Sequence, residues 1–298
     1  MKGFDKRAIY RMVQFYEAYS NEAFMLAVEP KLKLLEQPNV STLSTHLQSA
    51  GNQLDGFVST VLTQISWSNH LEILVACKTA EEKLFYLFMC KKERWSVREL
   101  RRQIKASVFE RTMLGNQQVS QIQRYFPHDI TNVFRDTYVL EFLNLPELHS
   151  EITLRKTLLN NLSSFMKELG NDFLFVGEEF KVSVGKQDFY IDLLFFHRDL
   201  RCLVAFELKT EVFTPQSLAQ INFYLEALDR DVRKPNENPS IGILLCKGKD
   251  DLVVEYALSR SLSPAMIADY QLKLPDKKLL QEKWSELIEL SQLKDEIR

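Results

Sequence analysis

The chain is short of several residue types, and each shortage excludes a class of protein. Only 9 of its 298 residues are glycine, which argues against a fold made mainly of tight turns and favours helix. Cys77, Cys90, Cys202 and Cys246 are scattered in apolar surroundings without zinc-type spacing, so buried reduced thiols are expected. No apolar run is long enough to cross a bilayer, and no signal-peptide core follows Met1. These absences predict a cytoplasmic protein without a membrane partner.

Net charge is also nearly absent, since 38 Lys and Arg stand against 40 Asp and Glu. The balance hides an asymmetry along the chain. Residues 1–135 carry 18 basic and 13 acidic side chains, whereas residues 136–298 carry 20 and 27. A basic first part suits a polyanionic partner, and an acidic second part suits cations.

The spacing of apolar residues divides the chain into two predicted domains, residues 1–135 and 136–298. From Lys6 to about Arg124 the apolar positions recur at helical intervals, so the first domain is predicted to be all-helical. A proline-containing connector is expected over 125–148.

The second domain changes period after Glu151. A helix is predicted there, with Gly170 just past its end as a C-cap. Three strands, a second helix and a buried strand should follow. The predicted ranges are helix 151–169, strands 173–184, 188–196 and 202–208, helix 215–229 and strand 241–246. The chain is therefore predicted to be α+β, a helical domain followed by an αβββαβ domain with a mixed central sheet.

Two of the predicted strands carry isolated charges within apolar sequence. A hairpin turn centred between Asp199 and Leu200 places Asp192 opposite Glu207, with Cβ atoms roughly 4.5–5.5 Å apart. Two carboxylates at that distance repel unless a cation lies between them. A hard divalent ion with oxygen ligands, Mg²⁺ or Mn²⁺, is the expected occupant.

Lys209 lies two positions after Glu207, so strand alternation projects both side chains to one face. In phosphodiester hydrolysis a metal ion polarises the phosphate and makes water more acidic. A lysine beside that ion can stabilise the charge that develops on the phosphate or orient the attacking water. The residues therefore indicate a metal-dependent phosphodiesterase site.

The sequence around these residues resembles the PD-(D/E)XK nuclease superfamily, and within it the YhcG-like family. The resemblance covers most of the chain and rests on segments in both halves. They are Ile65–His70 (ISWSNH), Trp95–Leu100 (WSVREL), Phe173–Gly177 (FLFVG), Phe189–His197 (FYIDLLFFH), Phe206–Lys209 (FELK), Gln220–Leu225 (QINFYL) and Ile241–Cys246 (IGILLC).

The resemblance implies a restriction-endonuclease-like fold, Mg²⁺ dependence and DNA as substrate. By position, it implies that Asp192 and Glu207 are metal ligands and that Lys209 is the catalytic lysine. Gln220 matches a glutamine that helps to shape the active site in related nucleases. Tyr224 lies one turn later on the same helical stripe, where a core aromatic is the alternative interpretation.

The sequence departs from the superfamily pattern on the first helix of the second domain. Where the superfamily often has a further glutamate, this chain has Arg155. Glu151, one turn earlier, is a candidate substitute, and Glu178 and Glu179 are others. The departure motivates the alternative that the domain is a catalytically silent DNA-binding or assembly module.

The excess positive charge of the first half is concentrated in residues 91–111. Ser96 with Glu99 three positions later is a capping-box pattern that predicts a helix start. The region near 80–111 resembles a helix-turn-helix element, with Trp95 expected to anchor the turn by packing. Phosphate contact is the functional interpretation and a solvated face the alternative. The predicted nucleic-acid-binding residues are Arg98, Arg101, Arg102 and Lys105.

The sequence therefore predicts a Mg²⁺- or Mn²⁺-dependent deoxyribonuclease with Asp192, Glu207, Lys209 and Gln220 in its active site. DNA is the expected partner. RNA and branched DNA stay open as substrates, and a homo-oligomer stays open as the assembly.

Overall fold

The computed structural model describes residues 5–21, 24, 61–115, 133–259, 261 and 263–296. The chain forms two compact units, Met1–Phe109 and Glu110–Arg298. The division lies earlier than the boundary expected near residue 135. The physical reason is that Arg111 donates to the Thr137 carbonyl oxygen at 2.6 Å and pairs with the buried Glu168, both in the second unit.

The described part of the first unit is helical. Its principal helices are α1 (Lys6–Ser20), α2 (Trp67–Ala76), α3 (Ala80–Glu93) and α4 (Val97–Lys105), and α5 (Val108–Leu114) contains the division between the units. Helix α2 packs against α1, α3 and α4. Fully buried Ile73, Leu84, Leu87 and Leu100 fill the space between them.

Helices α3 and α4 are joined by a three-residue turn, Arg94 to Ser96, so the first of them continues past residue 90, where the sequence predicts its end. Arg94 ends α3 in the left-handed conformation, with φ 50°. Ser96 begins α4, and its Oγ accepts a hydrogen bond from the Glu99 amide at 3.2 Å. Trp95 is buried between them, and its carbonyl accepts from Asn69 Nδ2 at 2.8 Å. The expectation that Trp95 anchors the turn is confirmed.

The second unit contains a six-stranded mixed sheet with helices between the strands. In chain order its elements are β1 (Thr137–Val139), α6 (Glu151–Asn160), α7 (Leu162–Leu169), β2 (Phe173–Val184), β3 (Gln187–His197), β4 (Cys202–Leu208), α8 (Pro215–Asp231), β5 (Ile241–Cys246), α9 (Asp251–Leu258), β6 (Ala265–Gln271) and α10 (Lys277–Glu296).

The strand order across the sheet is β1-β6-β5-β4-β3-β2. Strands β2, β3 and β4 pair antiparallel, whereas β4, β5, β6 and β1 run parallel. The hairpin register of β3 and β4 runs from Leu193 opposite Phe206 to His197 opposite Cys202. This register is the one expected from the turn between Asp199 and Leu200, and the α+β class with a mixed sheet is confirmed.

The sheet is buried on both faces, which explains the nearly continuous apolar runs of β4 and β5. One face packs against α6 and α7 through Leu154, Leu158 and Phe165. The other packs against α8 and α9, with Ile221 and Val254 at its centre. The second unit is therefore a three-layer sandwich.

Three expectations about the second domain need correction. The helix predicted over 151–169 is two helices, because Asn161 ends α6 with its side chain donating to the Thr157 carbonyl and α7 then begins. The predicted connector contains β1, which pairs with the sheet edge, while residues 125–132 lie outside the described residues. Strand β6 and helices α9 and α10 were not predicted.

The four cysteines are free and buried, as the sequence predicts. Among the described residues, no helix combines the length and the low polarity needed to span a bilayer.

The closest approach between α8 and the sheet depends on Gly242 in β5. A Cβ atom placed there would lie 2.5 Å from Ile221 Cγ1, a methylene carbon near the base of a fully buried side chain. We predict that Gly242→Ala lowers the free energy of unfolding by about 1–3 kcal/mol through overpacking, measured by urea denaturation. Gly248→Ala is the matched control, since its Cβ would meet Val212 at an ordinary 3.9 Å. Equal stabilities of the two variants would contradict this account.

Candidate functional site

Strands β3 and β4 stop pairing through their backbones at the position of Asp192. The last backbone pair is Leu193 with Phe206. Beyond it, Asp192 Oδ2 accepts a hydrogen bond from the Leu208 amide at 2.9 Å. In a continuing antiparallel pair, the Leu208 amide would donate to a backbone carbonyl of β3. Here it donates to the Asp192 side chain instead. The bond fixes Asp192 at the carboxyl end of β4.

Glu207 is the buried carboxylate of the site. In β4, Leu203 and Ala205 belong to the core on the α8 face, and strand alternation assigns Glu207 to that face. Its side chain is only 4% exposed. Oε1 accepts from Lys209 Nζ at 2.9 Å, whereas Oε2 is buried and has no hydrogen-bond partner among the described residues. Burial, followed by the nearby charge of Asp192, raises the pKa of Glu207 to about 7.

Lys209 supplies the positive charge beside Glu207. Burial lowers its pKa, but its hydrogen bond to Glu207 and the charges of Glu207, Glu151 and Asp192 outweigh burial and raise the pKa above its usual value. The ammonium also lies 3.8 Å from Glu151 Oε2 on α6. Lys209 is therefore charged at neutral pH.

Arg155 is a further cation of the site, and it stands where related nucleases often have a glutamate. Its Nη1 donates to Asp192 Oδ1 at 2.8 Å, and its Nη2 donates to Glu179 Oε1 at 2.8 Å. The sequence alone did not predict this bridge. The available signal was helical spacing, because Arg155 and Glu151 are four residues apart on α6 and so share one face.

Gln220 and Tyr224 approach the site from α8. Gln220 is exposed and donates from Nε2 to the Tyr224 hydroxyl oxygen at 2.9 Å. Tyr224 is buried in the α8 core, and its pKa is raised by burial and by the charges of Glu207 and Asp192. Tyr224 is therefore both a core aromatic and a neighbour of the carboxylates, while Gln220 is linked to them through Tyr224.

The carboxylates of the site fit a hard divalent cation. The donors are carboxylate oxygens, which Mg²⁺ and Mn²⁺ prefer. The unpartnered, buried Oε2 of Glu207 is the kind of atom that a cation would satisfy. Within the described parts of the chain, no group of three or more His, Cys, Asp or Glu side chains is arranged to hold a metal ion. A bound Mg²⁺ would accordingly take its other ligands from water and substrate, as it commonly does.

The basic helix α4 belongs to the first unit, whereas these carboxylates belong to the second. Arg98, Arg101 and Lys105 are exposed, and Arg102 is partly buried. Arg101 Nε pairs with Glu72 at 2.7 Å, and Arg102 pairs with Glu99 at 3.4 Å. Arg98 and Lys105 form no ion pair within the described residues. They are the cations of this helix best placed to meet an external phosphate.

The core has the element order αβββαβ, and its strands β3 and β4 bring Asp192, Glu207 and Lys209 together. This arrangement defines the class of PD-(D/E)XK nucleases. Residues 131–285 match the model of the YhcG PDDEXK nuclease domain, and residues 1–111 match that of the DUF1016 N-terminal domain. The chain belongs to the YhcG family of PDDEXK nucleases.

Individual relatives agree with this assignment. The chain is 37% identical over 211 residues to a protein of Escherichia coli (strain K12) described as "Putative nuclease YhcG". The match covers 70% of this chain and 56% of that protein, so the chain spans little more than half the length of this relative.

Two solved structures match less than half of this chain. A repair endonuclease from Pyrococcus abyssi is similar over 43% of this chain and 49% of its own, with 15% identity and a TM-score of 0.29. EndoMS in a complex with double-stranded DNA is similar over 44% and 47%, with 17% identity and a TM-score of 0.29.

The raised pKa of Glu207 predicts how the metal-free protein responds to pH. Folding raises the pKa of this carboxyl from its ordinary 4.5 to about 7. The folded state therefore binds the proton more tightly than the unfolded state does. Stability therefore falls as pH rises from about 4.5 to about 7. In chelator, we predict that the wild type loses about 2–3 kcal/mol more between pH 5 and pH 8 than Glu207→Gln does.

Denaturant unfolding at the two pH values measures this difference. Glu226→Gln, a change at an exposed glutamate of α8, is the matched control and should keep the wild-type pH dependence. Parallel curves for wild type and Glu207→Gln would refute the electrostatic account.

Proposed function

We propose that this chain is a metal-dependent deoxyribonuclease that hydrolyses phosphodiester bonds, with Mg²⁺ or Mn²⁺ held by Asp192 and Glu207. The observation that carries the proposal is the buried, unpartnered Oε2 of Glu207. It lies beside a second carboxylate and a lysine, in a chain of a nuclease family.

The chemistry divides between the ion and the side chains. When bound, the ion supplies Lewis acidity, which polarises the phosphate and lowers the pKa of water so that it can lose a proton and act as the nucleophile. The Lys209 ammonium, held at 2.9 Å by Glu207 Oε1, stabilises the charge that grows on the phosphate or orients the attacking water. Gln220 and Tyr224 shape the wall of the site on the α8 side. The Leu208 amide keeps Asp192 in position.

DNA binding is assigned to α4. Arg98 and Lys105 project into solvent without internal ion pairs among the described residues, and they can neutralise backbone phosphates. Arg101 and Arg102 also contact phosphates when a phosphate replaces Glu72 or Glu99 as their ion-pair partner. The three-residue turn between α3 and α4 is of the length found in helix-turn-helix elements.

A second candidate function is a catalytically silent DNA-binding or assembly module. The observation that favours it is the ion pair of Arg155 with Asp192, because a guanidinium already neutralises one of the two carboxylates. This candidate predicts DNA binding that is unaffected by chelator and no cleavage with any divalent ion. A homo-oligomeric state and a cytoplasmic location stay predictions from the sequence.

The catalytic assignment predicts that Asp192→Asn, Glu207→Gln and Lys209→Met each lower cleavage of supercoiled plasmid by about 100-fold or more, since each removes several kcal/mol of charge stabilisation. Conversion to nicked and linear forms in Mg²⁺ or Mn²⁺ is the measurement. Asp188→Asn is the matched control, because Asp188 lies on the same strand in an exposed pair with Lys181. Cleavage that survives Asp192→Asn, or wild type that cuts no nucleic acid, would reject the assignment.

The DNA-binding assignment predicts a change in salt dependence. Replacing Arg98 and Lys105 together by Gln removes two phosphate contacts, so the slope of log K against log salt should become shallower by about 2. Fluorescence anisotropy with a duplex oligonucleotide over a range of salt measures the slope. Lys78→Gln, on an exposed lysine of the first unit, should leave it unchanged. An unaltered slope in the double variant would assign α4 to the solvated surface.

A further inference from the structure

The Arg155 guanidinium bridges two carboxylates that come from different strands. One nitrogen donates to Asp192 Oδ1 on β3 and the other to Glu179 Oε1 on β2, each at 2.8 Å. The Arg155 side chain is 17% exposed, and that of Asp192 is 16% exposed. Both ends of this ion pair are thus largely screened from water, which strengthens it relative to a surface pair.

The backbone of Glu179 is distorted where it meets Arg155. In the β2–β3 register, Glu178 lies opposite Leu193 and Phe180 opposite Ile191, so Glu179 lies level with Asp192. Glu179 has φ 41°, a left-handed conformation that is costly for a residue with a side chain. Strain of this kind persists where the surrounding structure imposes it. Here it accompanies a second anchor for the guanidinium.

With Arg155 in place, each oxygen of Asp192 accepts a hydrogen bond. Its Oδ1 accepts from Arg155 and its Oδ2 accepts from the Leu208 amide. A divalent cation shared with Glu207 needs an oxygen of Asp192, and the Leu208 amide is part of the rigid sheet. Oδ1 is the oxygen that can be released, because its partner is a long side chain with another anchor at Glu179.

We propose that Arg155 is an exchangeable counter-ion that occupies Asp192 until a divalent cation displaces it. The guanidinium then stays on Glu179, so the exchange leaves neither charge without a partner. This inference rests on the proposed function, since it concerns the same cation site. It makes Arg155 a positioning residue that sets the affinity of the site for metal.

The exchange also explains how an arginine is accommodated at this position. Metal-free Asp192 and Glu207 repel each other, and a guanidinium on Asp192 relieves that repulsion. A doubly charged ion interacts with both carboxylates at once and can outcompete the guanidinium, whereas a singly charged ion has less to gain. Arg155 therefore stabilises the metal-free state and, by the same contact, lowers the affinity of the site for metal.

The test is a calorimetric titration of the full chain with Mn²⁺, without nucleic acid. Arg155→Gln removes the competing cation, so Mn²⁺ should bind about five-fold or more tightly than in wild type, the effect expected of one partly buried ion pair. A merely structural role for Arg155 predicts the opposite sign, because a loosened Asp192 binds metal more weakly. Asp192→Asn should abolish binding in either background.

Two variants separate direct exchange from a general change in charge. Lys156→Gln removes one positive charge from the adjacent, exposed position of α6 and should change the affinity by less than about two-fold. Arg155→Lys keeps the charge but cannot bridge both carboxylates, and it should bind Mn²⁺ more tightly than wild type. It also serves as the folding-conservative variant if Arg155→Gln proves unstable.

A double-mutant cycle tests the part assigned to Glu179. Glu179→Gln alone should weaken Mn²⁺ binding, because Arg155 loses the anchor to which it retreats. In the Arg155→Gln background the same change should have little effect. Additive effects would overturn the role of Glu179 as the second anchor.

The outcomes distinguish this inference from the proposed function. Tighter binding by Arg155→Gln with no change for Lys156→Gln supports the exchange. If wild type binds Mn²⁺ and Arg155→Gln binds it equally or more weakly, the exchange is overturned and the nuclease proposal stands. Binding by Arg155→Gln alone shows an arginine that the metal cannot displace in wild type, which overturns the exchange. No binding by either protein also overturns the exchange. In both cases plasmid cleavage decides the nuclease proposal, because substrate can supply ligands to the ion.

Discussion

The second unit has to accommodate two neighbouring carboxylates at the end of a buried strand, and the contacts of its active-site region follow from this constraint. Asp192 and Glu207 lie where β3 and β4 stop pairing, and Glu207 is almost fully shielded from water. Burying one charge is costly, and burying it beside a like charge costs more. The surrounding contacts offset this cost from different directions: the Leu208 amide and Arg155 on Asp192, and Lys209 on Glu207. One oxygen of Glu207 has no hydrogen-bond partner in the part of the chain that the structure describes.

The position of Arg155 changes how the departure from the superfamily pattern is understood. A glutamate on the first helix would add negative charge to the site, whereas Arg155 subtracts it by pairing with Asp192 and Glu179. Negative charge from α6 is still present, since Glu151 lies within 3.8 Å of the Lys209 ammonium. The helix thus supplies one residue of each sign, four positions apart. These two charges cancel, so α6 changes how charge is distributed within the site and leaves its net charge unchanged.

In the proposed function, the two units divide the chemistry of a nuclease between them. In the first unit, α4 carries cations above a buried stripe that includes Leu100 and Ile104, and the turn before it is held by Trp95. In the second, acidic residues at the strand ends suit a cation. The charge asymmetry along the sequence parallels the proposed division, in which basic residues contact a polyanion and acidic residues hold a metal.

The sequence by itself determined the strands, the hairpin register and the meeting of Asp192 with Glu207. These follow from local patterns: β3 and β4 are nearly continuous apolar runs joined by a short turn, so alternation and turn length fix which residues face each other. The addition of β1 and β6 and the bridge from Arg155 to Asp192 and Glu179 were decided only by the tertiary structure. Each depends on contacts between residues distant in the chain, as between α6 and β3, and no local period encodes such contacts.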